Sequence, residues 1–359
     1  MTETAIDVVS FAVATQPDLE LVGKQLATQG IKWITLPLLT ELWQASAPGP
    51  QYSDLRVFPE AIGVFADPTA GHLAWYQGER RQDHAGRFYL WRQFWLISAE
   101  DATKIRYRAD ALRSITNKIQ DTTGIGAKVT SLPIYLEPEE QLLEQLVTQN
   151  RVFDGWVSLW STLVVHVADR NLPLAVLNGP TDPQRLRHLA EAVALALPLP
   201  MRRRWSFCTG VCDASVCKAP VKFMLLQRDV KQQEIIDAQV LQPATGSPKN
   251  NYGRLLEDAV AKDFMVDLQL ALTSLEVSQL TTSQDLAAHL YRWVWHYYGL
   301  EPLWDLLLKP DAANKIQVLL NELPIQKFDT SKLIVQLPWD KLATARDLPS
   351  LLPNLSALR

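Results

Sequence analysis

The sequence reads as an α+β chain: a mixed α/β front two-thirds carrying an aromatic β-hairpin, then a mainly α-helical C-terminal region. Short runs rich in β-branched and aromatic residues, 7–14 (DVVSFAVA), 72–77 (HLAWYQ) and 87–98 (RFYLWRQFWLIS), occupy the early part of the chain and have strand composition. Segments with helical period and cap signals separate and follow them. From residue 253 onward only the helical period remains.

Residues 7–14 end at Thr15-Gln16-Pro17 and form the first expected strand. Leu19 to Leu26 follow a helical period that stops at Gly30. Residues 32–36 are a short strand candidate, residues 40–45 a single helical turn, and residues 47–52 (APGPQY) a loop. The two aromatic runs at 72–77 and 87–98 form a hairpin across the polar, Gly-bounded connection 78–86. In its second strand Phe88, Leu90, Arg92, Phe94 and Leu96 share one face, and Tyr89, Trp91, Gln93, Trp95 and Ile97 the other. Two apolar faces predict a strand covered on both sides.

Ser98 offers an N-cap, with Glu100 and Asp101 suited to the positive end of a helix expected to run to Lys118. Residues 138–148 give another helix with acids at its start. Residues 156–167 are apolar all round and predict a buried element, helix or strand. Thr181 or Asp182, followed by Pro183, starts a helix whose stripe is Leu186, Leu189, Ala190, Val193 and Leu197 and which Pro198 and Pro200 end. Residues 204–209 and 221–228 complete a small α/β unit. Residues 242–252 (QPATGSPKNNY) read as a linker, and three helical candidates lie beyond it, at 255–275, 283–298 and 303–323. The expected domains are therefore 1–150, 151–241 and 253–359.

A length of 359 residues with 47% hydrophobic and 21% charged residues fits such a multidomain globular protein. A net charge of -4 argues against a dedicated nucleic-acid coat. Three cysteines argue against a disulfide framework. Residues 1–7 lack the charged and apolar regions of a signal peptide, and the longest apolar-rich stretch, 156–168, is too short to span a bilayer. The expected location is cytoplasmic, without membrane attachment. The 12 Trp indicate either a Trp-rich core or interface surface.

Sites of possible chemistry are few. Cys208, Cys212 and Cys217 are spaced C-x3-C-x4-C, whereas structural zinc favours C-x2-C pairs with four ligands. They are weak metal candidates, and no metal or cofactor is expected. Gly124 to Lys128 lack P-loop spacing, with Val129 where a Ser or Thr would hold magnesium. The common hydrolase, zinc-protease, deaminase and kinase motifs are absent from the sequence, so no enzyme is expected and no catalytic residues are assigned. Arg80, Arg81, Arg87 and Arg92 interleave with aromatic residues, a pattern that contacts single-stranded nucleic acid or simply lines a covered strand. Arg202, Arg203 and Arg204, extended by Arg185 and Arg187, form a basic patch suited to an acidic partner. Trp293, His296 and Tyr297 lie on an aromatic helix suited to partner binding.

Residues 172–209 run strand, helix, then Pro200-Met201-Arg202-Arg203-Arg204-Trp205-Ser206-Phe207-Cys208-Thr209. This resembles the middle region of the bacterial GTPase-associated protein family, in which a leucine- and proline-ended helix precedes arginines and a Ser-Phe-x-Thr strand. Arg87-Phe88-Tyr89 and the run from Phe94 to Asp101 resemble that family's amino-terminal region. The opening strand lacks the family's Tyr-Thr-Ser-like start, and Arg92-Gln93 stand where it has a histidine. The resemblance implies an adaptor encoded beside an NTPase in a bacterial conflict (defence) or signalling system. The expectation is a non-catalytic adaptor with a protein partner, an NTPase or effector subunit. A nucleic-acid-binding subunit and an enzyme with scattered catalytic residues are the alternatives.

Overall fold

The computed structural model describes residues 2–46, 58–111 apart from 59 and 68, 126–169, 173–228, 234–239, 251–261, 265–274 and 282–287, with isolated positions elsewhere. The chain divides into two compact units, Met1–Gln279 and Leu280–Arg359. All described strands belong to the first.

The fold is mixed α/β, with helices among the described residues beyond 250. Among the described residues nine strands form one sheet: β1 (Thr2–Val13), β2 (Ala61–Ala66), β3 (Leu73–Gln82), β4 (Phe88–Ile97), β5 (Gly126–Leu136), β6 (Leu174–Leu177), β7 (Phe207–Asp213), β8 (Val221–Arg228) and β9 (Glu234–Asp237). Their order is β5-β1-β4-β3-β2-β7-β8-β6-β9. The half from β5 to β2 is antiparallel and joins β7 in the same sense, while β7, β8, β6 and β9 are parallel. The sheet thus crosses residue 150, where the sequence suggests a domain change.

Helices with described bounds are α1 (Asp18–Thr28), α2 (Leu36–Ala45), α3 (Ala99–Lys104), α4 (Glu139–Asn150), α5 (Trp156–Asp169), α6 (Pro183–Leu195), α7 (Leu199–Arg202), α8 (Asn251–Ala261) and α9 (Met265–Ser274). Residues 32–36, expected as a strand, instead lead into α2. The Thr35 hydroxyl accepts a hydrogen bond from the Leu38 amide, and Pro37 sits in the first turn, so cap chemistry outweighs strand composition. Ser98 caps α3 as expected, but the helix closes at Lys104. Arg106 and Tyr107 then take left-handed φ values of 55° and 54°, which a continuing right-handed helix excludes.

The hairpin pairs Leu73 with Ile97 through to Gln82 with Phe88, so β3 extends beyond its expected end at Gln77. Asp83 closes the turn by accepting from the Ala85 and Arg87 amides, each at 2.9 Å. β4 is buried from Leu90 to Ile97, as its two apolar faces predict. On one face Phe94 packs against Phe11 and Tyr76, with ring centroids 5.0 and 5.4 Å away. The same cluster includes Leu19, Val22 and Leu26 of α1 and Leu39 and Leu42 of α2. On the other face Trp75 and Trp95 are buried, and Trp156, Trp160 and Trp205 are buried elsewhere in the fold. These indoles belong to the core.

The junction of the two half-sheets is narrow. β2 and β7 share two paired positions, Gly63 with Cys208 and Val64 with Phe207. Two hydroxyls extend the seam: Thr209 accepts from the Ile62 amide at 2.9 Å, and Ser206 accepts from the Ala66 amide at 2.8 Å. Ser206 also donates to the Ala66 carbonyl at 3.2 Å. The Ser-Phe-x-Thr segment therefore stitches the halves together. Gly63 is required by close approach, since a Cβ there would lie 2.7 Å from the Phe207 carbonyl oxygen.

A buried ionic cluster fastens the helices. Arg202 pairs with both Glu139 oxygens at 2.9 and 2.6 Å and donates to the Leu197 carbonyl at 2.8 Å. Gln269 of α9 also donates to Glu139, at 3.1 Å. Burial raises the affinity of Glu139 for a proton. The hydrogen bonds and charge of Arg202, with Arg106 and Arg108, outweigh burial and hold the carboxyl below its ordinary range.

Candidate functional site

A cleft opens where α2 crosses the end of the antiparallel half-sheet. α2 contributes Leu38, Glu41, Leu42 and Ala45, spaced to lie on one helical face. Phe65, Ala66 and Asp67 come from the end of β2, His72, Leu73 and Ala74 from the start of β3, and Leu96 from β4. Lys218 and Pro220, in the segment before β8, line the remaining wall with Ser206. The volume is about 320 Å³, within the size range of ligand or anchor pockets. A shallower hollow of about 540 Å³ adjoins it, lined by Leu36, Pro37, Thr40, Glu41, Gln44 and Lys218. Glu41 and Lys218 border both.

Local chemistry fixes these walls. Asp67 accepts from the Thr69 and Ala70 amides at 2.7 and 2.8 Å, and its own amide donates to the His72 carbonyl at 2.9 Å. This sets the β2–β3 turn and places Asp67 and His72 at the cleft. The His72 ring packs on Trp33 with centroids 4.6 Å apart. Burial lowers the pKa of His72 and outweighs the opposing charge of Asp67, so the imidazole is neutral at neutral pH.

The carbonyls ending α2 lack intrahelical donors and find them in the opposite wall. The Lys218 amide donates to the Gln44 carbonyl at 3.1 Å, and the Cys217 thiol donates to the Ala45 carbonyl at 3.0 Å. The floor is apolar, through Leu42, Ala45, Phe65, Ala74 and Leu96. The rim carries the carboxylates of Glu41 and Asp67 and the ammonium of Lys218.

Of the candidate site residues named from sequence, Cys217 meets the cleft wall through Ala45, and none of the other described ones lines the cleft. Cys208, Cys212 and Cys217 are all buried. Cys208 and Cys212 donate to the Thr209 and Gly210 carbonyls at 3.4 and 3.7 Å. Burial pushes the Cys208 thiol well above its ordinary pKa, which favours a protonated core side chain. Among the described residues, no three His, Cys, Asp or Glu side chains gather in a metal-binding arrangement.

Burial takes Arg202 and Arg92 out of the two basic surfaces expected from sequence, while Arg80 and Arg87 stay exposed and Arg185 partly so. Arg202 is 2% exposed and engaged by Glu139, so it is absent from any surface patch. Arg203 lies over the Tyr107 ring, 5.0 Å from its centroid, and Arg204 donates to the Ala168 carbonyl at 2.7 Å. Arg185 stacks on Phe153 at 3.4 Å, and Arg187 pairs with Glu60 at 2.9 Å. In the hairpin, Arg92 is 6% exposed and lies 3.6 Å from the Trp43 ring centroid, beyond reach of an outside nucleic acid. Arg87 pairs with Asp83 at 2.8 Å, Arg81 lies over Trp91 and pairs with Glu79, and Arg80 lies over Phe88. Trp293, His296 and Tyr297 fall outside the described residues.

The cleft has one sequence signal that residues 40–45 alone do not reveal: Thr35 and Pro37 start a longer helix, putting Leu38, Leu42 and Ala45 in register. No described helix is long and apolar enough to cross a membrane. No protein-family model, curated protein or solved structure matches this chain.

Proposed function

We propose that this chain is a non-catalytic adaptor that holds a partner protein in the cleft between α2 and the β2–β3 turn. The observation that carries the reading is the apolar floor with its charged rim. An apolar anchor side chain gains by leaving water there, while the rim charges discriminate among partners. The resemblance to the bacterial GTPase-associated family supplies the partner class, an NTPase or effector subunit of a conflict or signalling system. In this reading the Ser-Phe-x-Thr segment builds the scaffold that presents the cleft.

The test is a tagged pull-down from the native host with mass spectrometry, with and without nuclease, using the natural chain and Leu38→Trp. Leu38 is only partly buried on the cleft wall, so a larger ring there obstructs the cleft without opening the core. Recovery of one stoichiometric protein, insensitive to nuclease and lost with Leu38→Trp, is the expected result. A partner retained by Leu38→Trp removes the cleft from the interaction. Partners lost on nuclease treatment shift the reading to nucleic acid. A thermal melt of the variant matching the natural chain guards against misfolding.

A further inference from the structure

Resting on the docking reading above, we infer that the occupant of the cleft is an extended peptide segment of the partner with an apolar anchor flanked by a basic residue. Two features of the site specify this chemistry. The first is its shape. The deep hollow of about 320 Å³ and the shallower one of about 540 Å³ are neighbours, with Glu41 and Lys218 lining both. A compact small molecule would use only the deep hollow. A segment of several residues uses both, with one side chain buried and its neighbours laid along Leu36, Pro37, Thr40 and Gln44.

The second feature is charge. Glu41 and Asp67 contribute two carboxylates to the lining, against the single ammonium of Lys218. His72 adds no charge at neutral pH, because burial favours its neutral form. The deep site is thus net negative around an apolar floor. A Leu, Met or Phe side chain fits the floor, and an adjacent Lys or Arg complements the rim. Glu41 and Lys218 oppose each other in charge at the boundary between the hollows, so the excess negative charge that disfavours an acidic neighbour is that of Asp67 in the deep hollow. Rim charges of this kind select partners more than they strengthen binding.

Selection from a displayed library of random nonapeptides tests the inference, using the natural chain, Glu41→Lys and Leu38→Trp. Glu41 is an exposed helix residue, so its reversal leaves the fold intact, which a circular-dichroism melt verifies. The natural chain is expected to enrich apolar residues beside Lys or Arg, and Glu41→Lys to shift the flanking preference toward Asp or Glu. Individual basic-flanked peptides should lose affinity by roughly 3–10-fold on Glu41→Lys, as measured by fluorescence anisotropy.

Enrichment of the same peptides by both proteins overturns the charge assignment. So does the absence of enrichment above the Leu38→Trp background, which leaves the cleft to a small molecule or a folded surface. The pull-down separates the two readings. A partner lost with Leu38→Trp but unaffected by Glu41→Lys preserves docking and removes the basic flank. A partner retained by Leu38→Trp removes docking itself.

Discussion

Glu139 shows how much one buried carboxylate holds together. It receives both guanidinium arms of Arg202 and the Gln269 amide, and so ties α4 to α7 and α9. Replacing one member of a buried pair leaves the other charge stranded, at a cost of about 3–5 kcal/mol. Glu139→Gln should therefore lower stability by that amount in urea melts at neutral pH. Because the folded carboxyl titrates below its ordinary value of 4.5, its contribution is present above that value. It is lost as acid protonates the folded group at lower pH. The variant should accordingly lose less stability than the natural chain between pH 5 and pH 3, again in urea melts. Sequence alone does not single out Arg202 from Arg203 and Arg204. Which arginine turns inward depends on an acid 63 positions earlier, a pairing that local pattern does not encode.

At the scale of elements, the seam between β2 and β7 carries more than its two paired positions indicate. Ser206 and Thr209 satisfy the Ala66 and Ile62 amides by side-chain oxygen instead of a backbone ladder. Ser206→Ala and Thr209→Val each strand a buried amide, costing about 1–3 kcal/mol. Gly63→Ala forces a methyl group against the Phe207 carbonyl and should cost a similar amount, about 1–3 kcal/mol. Chemical denaturation of the three variants checks these values. An unchanged midpoint for Ser206→Ala would show that water replaces the hydroxyl. The aromatic hairpin was legible because β4 is apolar on both faces and the sheet is covered on both. β2 (AIGVFA) offered only a short apolar run, and its strand identity comes from neighbours distant in sequence. The cleft was obscured similarly: α2 starts at a Thr-Leu-Pro signal beside residues with strand composition, and its opposite wall arrives from residues 206–220.

On the scale of the whole molecule, one sheet integrates residues on both sides of the α4–α5 turn. That turn is exposed: Val152 is 73% accessible, and Gly155 holds a φ of +73°, a geometry typical of a tight bend. Arg151 lies at its start and is exposed, so limited trypsin treatment should cut there early. The pieces on either side remain tied by the seam hydroxyls, the paired positions of β2 and β7, and the grip of Arg202 on Glu139. The cut protein should therefore elute from a sizing column as the intact chain does, and reveal two fragments only in detergent on a gel. Premature separation on the column would mean the seam is too weak to hold the halves. Held together, the nicked protein behaves as a natural heterodimer whose subunits happen to be translated in tandem, with the Ser-Phe-x-Thr strand as its dimer interface.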